Sequence, residues 1–451
     1  MNVIIDEEKI QNLLSRGVEN IYPKRDFLES KLKSGERLTL YTGYDPTAPT
    51  LHIGHGITML KLREFQQLGH KVIMLIGDFT GMIGDPTDKG AARTKLTREQ
   101  VLENCKMYQE QASAILDFEG ENPVEVRYNG EWFSKMNFAD VLDLTSHFTV
   151  QRMMERDMFE KRFYGEIKCP FCLNSFRDKS LHTFAHRKVG EAITRPVVFD
   201  LECPKCGERF DRSKAETSEE KPIYLHEFLY PVMQGYDSVA MDVDGEIGGN
   251  DQTFNMLAGR TLMKSLKNKE KFVIAGKLLT DNSGKKMGKS EGNMIAFADT
   301  PEDMFGKIMN WTDSMIVSGF EICTRIPMSE VEQVKKDLEA GANPRDAKFK
   351  LAYEITKTFL GVESAKLGQE HFEKVIQSKD RPDEILELKP TSYNIIEVLV
   401  ESGLSTGKSD ARRAIEQGGV KVNDEKIEAF DYDTKPEDVI QKGKRFFVKV
   451  K

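Results

Sequence analysis

The sequence predicts a doubly wound α/β fold on a parallel sheet, followed by a helical domain and a small α+β module. Three observations carry that expectation. Leu38-Thr-Leu-Tyr41 is a β-prone apolar run; a turn rich in Gly and Pro follows, and Ile57, Met59, Leu60 and Leu62 then open a helical pattern. Lys71-Val-Ile-Met-Leu-Ile-Gly77 is nearly all apolar, as a parallel strand covered on both faces should be. From residue 300 to about 378 the pattern is helical, with Pro301 and Pro344 at helix starts.

At 451 residues the chain is too long for one ordinary core, so several domains are expected. With 39% hydrophobic and 31% charged residues the composition is globular, and no apolar run reaches membrane-spanning length. The start, Met1-Asn-Val-Ile-Ile-Asp-Glu-Glu, is acidic and lacks a signal-peptide pattern, so a cytoplasmic location is expected. The net charge of −8 excludes a bulk polyanion binder; an RNA partner would need a local basic face.

In chain order, residues 1 to about 35 predict two short helices, with Ile10, Leu13 and Leu14 on one face and Phe27 and Leu32 on another. A strand then ends at Tyr41, and a helix runs from about Leu51 to Leu68. The Tyr41 to Gly56 stretch between them aims free backbone N–H groups and a positive helix end above the strand, a setting that suits phosphate. His52 and His55 flank Gly54 there, and Gly54 leaves room for a flat ligand. The pattern continues with a helix from Arg98 to about Asp117, a strand at Val124-Glu-Val-Arg-Tyr128, and a helix opening near Pro222. Tyr230, Gln234 and Asp237 fall near one face of that helix and can point into one pocket. Strands are expected at Val239-Ala-Met-Asp-Val243 and Phe272-Val-Ile-Ala275, with a helix opening at Gly248-Gly-Asn-Asp-Gln252. A Gly-bearing loop with Lys285, Lys286 and Lys289 follows.

His52-Ile-Gly-His55 and Lys286-Met-Gly-Lys-Ser290 resemble the two signature motifs of class I aminoacyl-tRNA synthetases, with Gly288 in place of the first serine of the second. Tyr41-Thr-Gly-Tyr-Asp-Pro-Thr47, Ile83-Gly-Asp-Pro-Thr87, Tyr230-Pro-Val-Met-Gln-Gly-Tyr-Asp237 and Gly248-Gly-Asn-Asp-Gln252 are similar to bacterial-type tyrosyl-tRNA synthetases. The resemblance covers nearly the whole chain and implies a Rossmann-like catalytic domain. It implies activation of tyrosine by ATP with Mg²⁺, transfer to tRNA(Tyr), and a homodimer whose interface lies near Val150-Gln-Arg-Met-Met-Glu-Arg-Asp157. It also implies roles residue by residue. Thr47, His52, His55, Lys89, Arg93, Lys286 and Lys289 would serve the phosphates. Tyr41, Asp85, Tyr230, Gln234, Asp237 and Gln252 would bind tyrosine, with Tyr41 and Asp237 on the phenol hydroxyl and Asp85 on the ammonium. Asp45, Gly54, Gly249 and Asp251 would join Lys286 and Lys289 in holding ATP. A tryptophanyl relative, a non-catalytic RNA-binding paralogue, and a ligase acting on something other than tRNA are the competing readings.

Residues 166 to about 218 depart from that family pattern. Cys169-Pro-Phe-Cys172 and Cys203-Pro-Lys-Cys206 form two knuckles, each bringing two sulfurs to one point. Four thiolates suit a closed tetrahedral zinc site, which would be structural, whereas a redox pair or a decayed site are the alternatives. His182 and His186 between the knuckles are expected to be spectators.

Near the end, Leu404-Ser-Thr-Gly-Lys-Ser-Asp-Ala-Arg-Arg-Ala-Ile-Glu-Gln-Gly-Gly-Val-Lys-Val-Asn423 resembles the S4 RNA-binding domain, with Ser409 as a helix cap and Lys408, Arg412 and Arg413 clustered. From Lys389 onward, twelve basic and eleven acidic residues nearly cancel, so an RNA face there must be local. The expected division is 1–298 catalytic (with insert 166–218), 299–378 helical and binding the anticodon region, 379–390 linker, and 391–451 S4-like.

Overall fold

The computed structural model describes residues 2–85, 96–164, 167–176, 200–211, 215–217, 223–280, 294–377, 385–443 and 446–451. The backbone forms two compact units, Met1–Ala365 and Lys366–Lys451.

The first unit is built on a six-stranded sheet of β1 (Val18–Tyr22), β2 (Thr39–Tyr44), β3 (Lys71–Ile76), β4 (Glu125–Tyr128), β5 (Gly245–Gly249) and β6 (Phe272–Gly276). The order is β1-β6-β5-β2-β3-β4; β1 pairs antiparallel with β6, and the others run parallel. The chain winds outward through β2, β3 and β4, then returns to lay β5 on the other side of β2. That reversal opens a crevice beyond the carboxyl ends of β2 and β5. In β3 the run from Val72 to Ile76 is buried throughout, the burial its unbroken apolar sequence requires.

The two N-terminal helices are α1 (Glu7–Ser15), capped by Asp6 and burying Ile10, Leu13 and Leu14, and α2 (Arg25–Lys33). Strand β1 between them was not expected. It is an edge strand with a mixed burial pattern, so its sequence lacks the alternation that marks a half-buried strand. Helix α3 (Ile53–Gln67) follows β2, and α4 (Leu225–Ala240) and α5 (Thr253–Lys267) flank β5. The helix expected from Arg98 breaks into Arg98–Cys105 and Tyr108–Ala112.

The strand expected at Val239–Val243 is a correction. Helix α4 runs on through Ala240, Asp242 turns with φ +50°, and the strand forms at Gly245–Gly249. Glycine is a poor strand former, but tertiary packing overrides propensity here. A Cβ on Gly245 would lie 2.0 Å from the buried Phe272 ring, and one on Gly248 would lie 2.9 Å from the Met256 sulfur.

Downstream helices Pro301–Met309, Met315–Cys323, Met328–Glu339 and Pro344–Leu360 belong to the same unit; Thr300 and Asn343 cap two of them just before prolines. Buried Arg16 ties the N-terminal segment to this stretch. Its guanidinium donates to the carbonyls of Phe320, Glu321, Thr324 and Ile326 at 2.7–3.1 Å, satisfying the end of the Met315–Cys323 helix.

In the second unit, helices Ile395–Glu401 and Lys408–Glu416 pack with a five-stranded sheet around Val398, Leu399, Ala411, Ile415, Ile440 and Val448. Asn423 and Asp424, both at positive φ, make the two-residue turn between Val420–Val422 and Glu425–Lys426. Gly407, not Ser409, is the N-cap of the Lys408 helix; Ser409 lies in its first turn, and Asp410 accepts from the Thr406 N–H at 3.2 Å.

Two stability predictions follow from this packing. Gly245→Ala should lower stability by about 1–3 kcal/mol through overpacking against Phe272, read as a lower thermal unfolding temperature. His70 is fully buried, accepts from the Leu38 N–H at 3.2 Å, and burial pushes its pKa down to about 4. Below the ordinary imidazole pKa of about 6.5 the unfolded chain therefore binds a proton that the folded chain refuses, and stability falls as pH drops from there toward 4. Denaturant unfolding across that window should show a steeper fall for the native protein than for His70→Gln; equal slopes would refute the assignment.

Candidate active site

The crevice at the strand reversal is a cleft of about 290 Å³. Tyr41, Asp45, Thr47, His52, Gly54, His55, Asp85, Tyr230, Gln234, Asp237, Gly249, Asp251 and Gln252 all line it, so thirteen residues singled out in the sequence converge on one place. Lys89, Arg93, Lys286 and Lys289, with His182 and His186, lie outside the described residues.

The upper wall is the start of α3. His52 is its N-cap; the His52 Nδ1 accepts from the Gly54 N–H at 3.1 Å, and the His55 Nδ1 accepts from the His52 N–H at 3.3 Å. The rings stack at 3.8 Å. Because both Nδ1 atoms accept backbone hydrogens, a neutral ring carries its proton on Nε2. Burial and the neighbouring His52 hold the His55 pKa well below the usual imidazole value, so His55 is neutral. A Cβ on Gly54 would stand 3.0 Å from the His52 ring, so this glycine makes room for the histidine pair itself.

The floor is formed by α4 and the ends of β2 and β5. The Tyr230 hydroxyl donates to Asp45 Oδ2 at 2.7 Å, and the Thr80 hydroxyl donates to Asp45 Oδ1 at 2.7 Å. Asp237 accepts from the Trp132 indole N–H at 2.9 Å; burial holds its carboxyl well above the usual carboxylate range, with the Trp132 bond opposing. The Tyr41 hydroxyl is fully buried, 3.0 Å from Ser238 Oγ and 3.3 Å from the Gln234 carbonyl that accepts from it.

A polar ladder runs beneath these groups. Lys271 Nζ donates to Glu246 Oε2, Gln234 Nε2 to Glu246 Oε1 at 2.9 Å, and Asn255 Nδ2 to Gln234 Oε1 at 2.9 Å and to Gln252 Oε1 at 3.0 Å. Gln252 Nε2 then donates to Asp85 Oδ2 at 2.7 Å, and Arg156 donates to Asp85 Oδ1 at 2.7 Å. Sequence reasoning missed Trp132, Arg156, Ser238, Glu246, Asn255 and Lys271. Glu246 carried a usable signal: a charge between the apolar and glycine residues of a central strand must have a partner.

In the insert, the Cys169, Cys172, Cys203 and Cys206 sulfurs all lie within 4.8 Å of one another, with Cys169–Cys206 at 3.7 Å and Cys172–Cys203 at 3.6 Å. Zn–S bonds of about 2.3 Å in a tetrahedron place sulfurs about 3.8 Å apart. A disulfide would need about 2.0 Å. The donor set and its spacing therefore fit a single tetrahedral ion.

A strand-reversal cleft under a helix start bearing paired histidines defines a nucleotide-activating domain of the class I synthetase type. The sequence matches the family model described as tRNA synthetases class I (W and Y) over residues 33–173 and 208–377, and the chain belongs to that family. Residues 375–449 match the model described as the tyrosine–tRNA ligase SYY-like C-terminal domain. The chain is 40% identical to the tyrosine–tRNA ligase of Thermotoga maritima over 450 residues, 98% of this chain and 97% of that protein. It is 39% identical to the tyrosine–tRNA ligase of Haemophilus ducreyi, covering 98% of each. Among solved structures, the L-tyrosine complex of the Archaeoglobus fulgidus tyrosyl-tRNA synthetase covers 80% of this chain and 99% of that one at 20% identity and a TM-score of 0.54. A truncated mitochondrial tyrosyl-tRNA synthetase from Coccidioides posadasii covers 81% and 92% at 21% identity and a TM-score of 0.57; these two likenesses bear on the fold alone. Among the described residues no helix is long and apolar enough to cross a membrane.

Proposed function

We infer that the chain is a tyrosine–tRNA ligase, which activates tyrosine with ATP and transfers it to the 3′ end of tRNA(Tyr). The observation that carries this reading is the joint placement of Tyr41 and Asp237 at the foot of a cleft walled by a histidine-bearing helix start. A phenol hydroxyl both donates and accepts, and Tyr41 and Asp237 offer one group of each kind.

The tyrosine carboxylate attacks the α-phosphorus of ATP; the bond to the β-phosphate bridge breaks, giving tyrosyl-adenylate and diphosphate. The attacking carboxylate is already ionised, so no covalent enzyme nucleophile is required. Catalysis is positioning plus stabilisation of charge spreading over the phosphates. Thr47 and the Nε2–H groups of His52 and His55 face that charge beside the α3 N-terminus, and Lys89, Arg93, Lys286 and Lys289 complete the phosphate set. Mg²⁺ accompanying ATP supplies further charge neutralisation. Asp251, Gly249, Gly54 and Asp45 hold the nucleoside side; Asp85, Tyr230, Gln234 and Gln252 hold the amino acid. Asp85 already accepts from Arg156 and Gln252, which aims its carboxylate for an ammonium. In the second step a terminal ribose hydroxyl of tRNA attacks the activated carbonyl and releases AMP.

The helices from Pro301 onward serve the anticodon region, and the S4-like module of residues 391–451 serves tRNA, in the division given from the sequence. We place the enzyme in the cytoplasm as a homodimer; Val150 is an exposed apolar side chain where the interface is expected, and Phe138 and Leu142 are exposed on the preceding helix. The four cysteines hold a structural zinc that lets a small insert fold.

Two experiments test these assignments. Amino-acid-dependent ATP–pyrophosphate exchange across the twenty standard amino acids should respond to tyrosine. Asp237→Ala should then cut kcat/KM for tyrosine by about 100-fold while leaving the KM for ATP nearly unchanged. Unaltered tyrosine preference in that variant overturns the pocket assignment. Metal analysis should find about one zinc per chain. No zinc, with Cys169 freely alkylated in the native protein, would sink that assignment.

A further inference from the structure

Lys271 and Glu246 form an ion pair directly beneath the cleft, with side-chain exposures of 0% and 2%. Besides Glu246, the ammonium donates to Ser238 Oγ at 2.7 Å and to the Met256 carbonyl at 3.3 Å. It sits 5.7 Å from the centre of the Tyr41 ring. The space for it is made by glycine: a Cβ on Gly259 would lie 2.5 Å from Nζ and 2.8 Å from Ser238 Oγ. A core could be filled more cheaply with apolar side chains, since burying two charges costs several kcal/mol per ion before their attraction repays it.

The hydrogen-bond directions show what the pair does. An ammonium can only donate, so Ser238 Oγ must accept from Lys271 and keeps one hydrogen of its own. Tyr41 Oη lies 3.0 Å from it. A hydrogen given by Ser238 to Tyr41 Oη leaves the Tyr41 O–H as the outgoing donor, which without ligand points to the Gln234 carbonyl at 3.3 Å and lies near the Glu246 carboxylate. On the other branch Glu246 can only accept, which fixes the amide of Gln234. Asp85 fixes Gln252 in the same way, and Asn255 bridges the two amides.

We propose that Lys271 and Glu246 are positioning residues for amino-acid selection: acting through Ser238 they make Tyr41 a hydrogen donor to the ligand hydroxyl, and acting through Gln234 they lock the wall beside it. The inference rests on the tyrosine-activating reading above. The ligand hydroxyl then accepts from Tyr41 and donates to Asp237, and phenylalanine leaves both unanswered.

The test compares ATP–pyrophosphate exchange with tyrosine and with phenylalanine in the full-length protein. The variants are Ser238→Ala and the double variant Lys271→Met/Glu246→Gln. Removing both charges together leaves no orphan ion, so the double variant should unfold at nearly the wild-type temperature. In both variants the KM for tyrosine should rise about tenfold and the tyrosine-to-phenylalanine ratio of kcat/KM should fall about tenfold, with the KM for ATP little changed. Discrimination equal to wild type in both variants overturns the proposal and leaves the pair a packing feature. Should the double variant fail to fold, Ser238→Ala alone decides, because it keeps both charges. Wild-type protein that exchanges with an amino acid other than tyrosine, or with none, removes the underlying reading and the proposal with it.

Discussion

A lysine and a glutamate buried together under the cleft constrain everything above them. Each ion loses its water, so the protein must answer every remaining donor and acceptor around it. Most of them are answered by one continuous set of bonds from Lys271 through Glu246, Gln234, Asn255 and Gln252 to Asp85 and Arg156, although Asn255 Oδ1 is buried without a hydrogen-bond partner. The backbone adapts to hold this set. Helices α4 and α5 approach so closely at Gly235 that a Cβ there would lie 3.0 Å from the Ala258–Gly259 backbone. Strand β5 is glycine-rich, which lets Glu246 sit in the middle of a sheet with Phe272 and Met256 pressed against its neighbours.

The two ends of the cleft carry opposite electrostatics. Below are the carboxyls of Asp45, Asp85, Asp237 and Glu246; above is a helix start whose two imidazoles each accept a backbone N–H at Nδ1. That polarity orients a ligand with a cationic or hydroxyl end and an anionic end.

The sheet was legible where burial and sequence agree, as in Lys71–Ile76, and illegible where they part. Val239 and Val243 look like a strand because both are buried, yet burial under a helix end produces the same apolar pattern. The true strand, Gly245–Gly249, has the composition of a loop and is a strand only because β2 and β6 offer it partners. Strand β1 was hidden for the complementary reason: an edge strand needs no apolar alternation. For the site, residues inside contiguous motifs were readable, because local spacing places them on one turn or one helix face. Lys271, Trp132 and Arg156 were not, because each joins the cleft through the tertiary fold from a segment whose own pattern is unremarkable. Glu246 stands between the two cases, a solitary charge in a segment that had to be central.

The cysteine insert shows the same logic with a smaller core. Its two knuckles have different sequences and one backbone. In each, the first cysteine's carbonyl accepts from the residue four positions on, Leu173 at 3.0 Å and Gly207 at 2.8 Å, and that residue sits at positive φ, +59° and +73°. Glycine takes that conformation freely, whereas leucine pays roughly 1 kcal/mol for it. A leucine held there, with its side chain exposed, gains nothing from packing. What the turn secures is the position of the sulfurs, since the same turn on the opposite knuckle brings the second pair to within 3.6–3.7 Å of the first. Ile167, Leu201 and Phe210 pack around the cysteines themselves, so the cluster is the centre of the insert rather than an ornament on it. In the described part of the insert the four thiols and these three apolar side chains form one cluster, an arrangement that fits a shared tetrahedral ion.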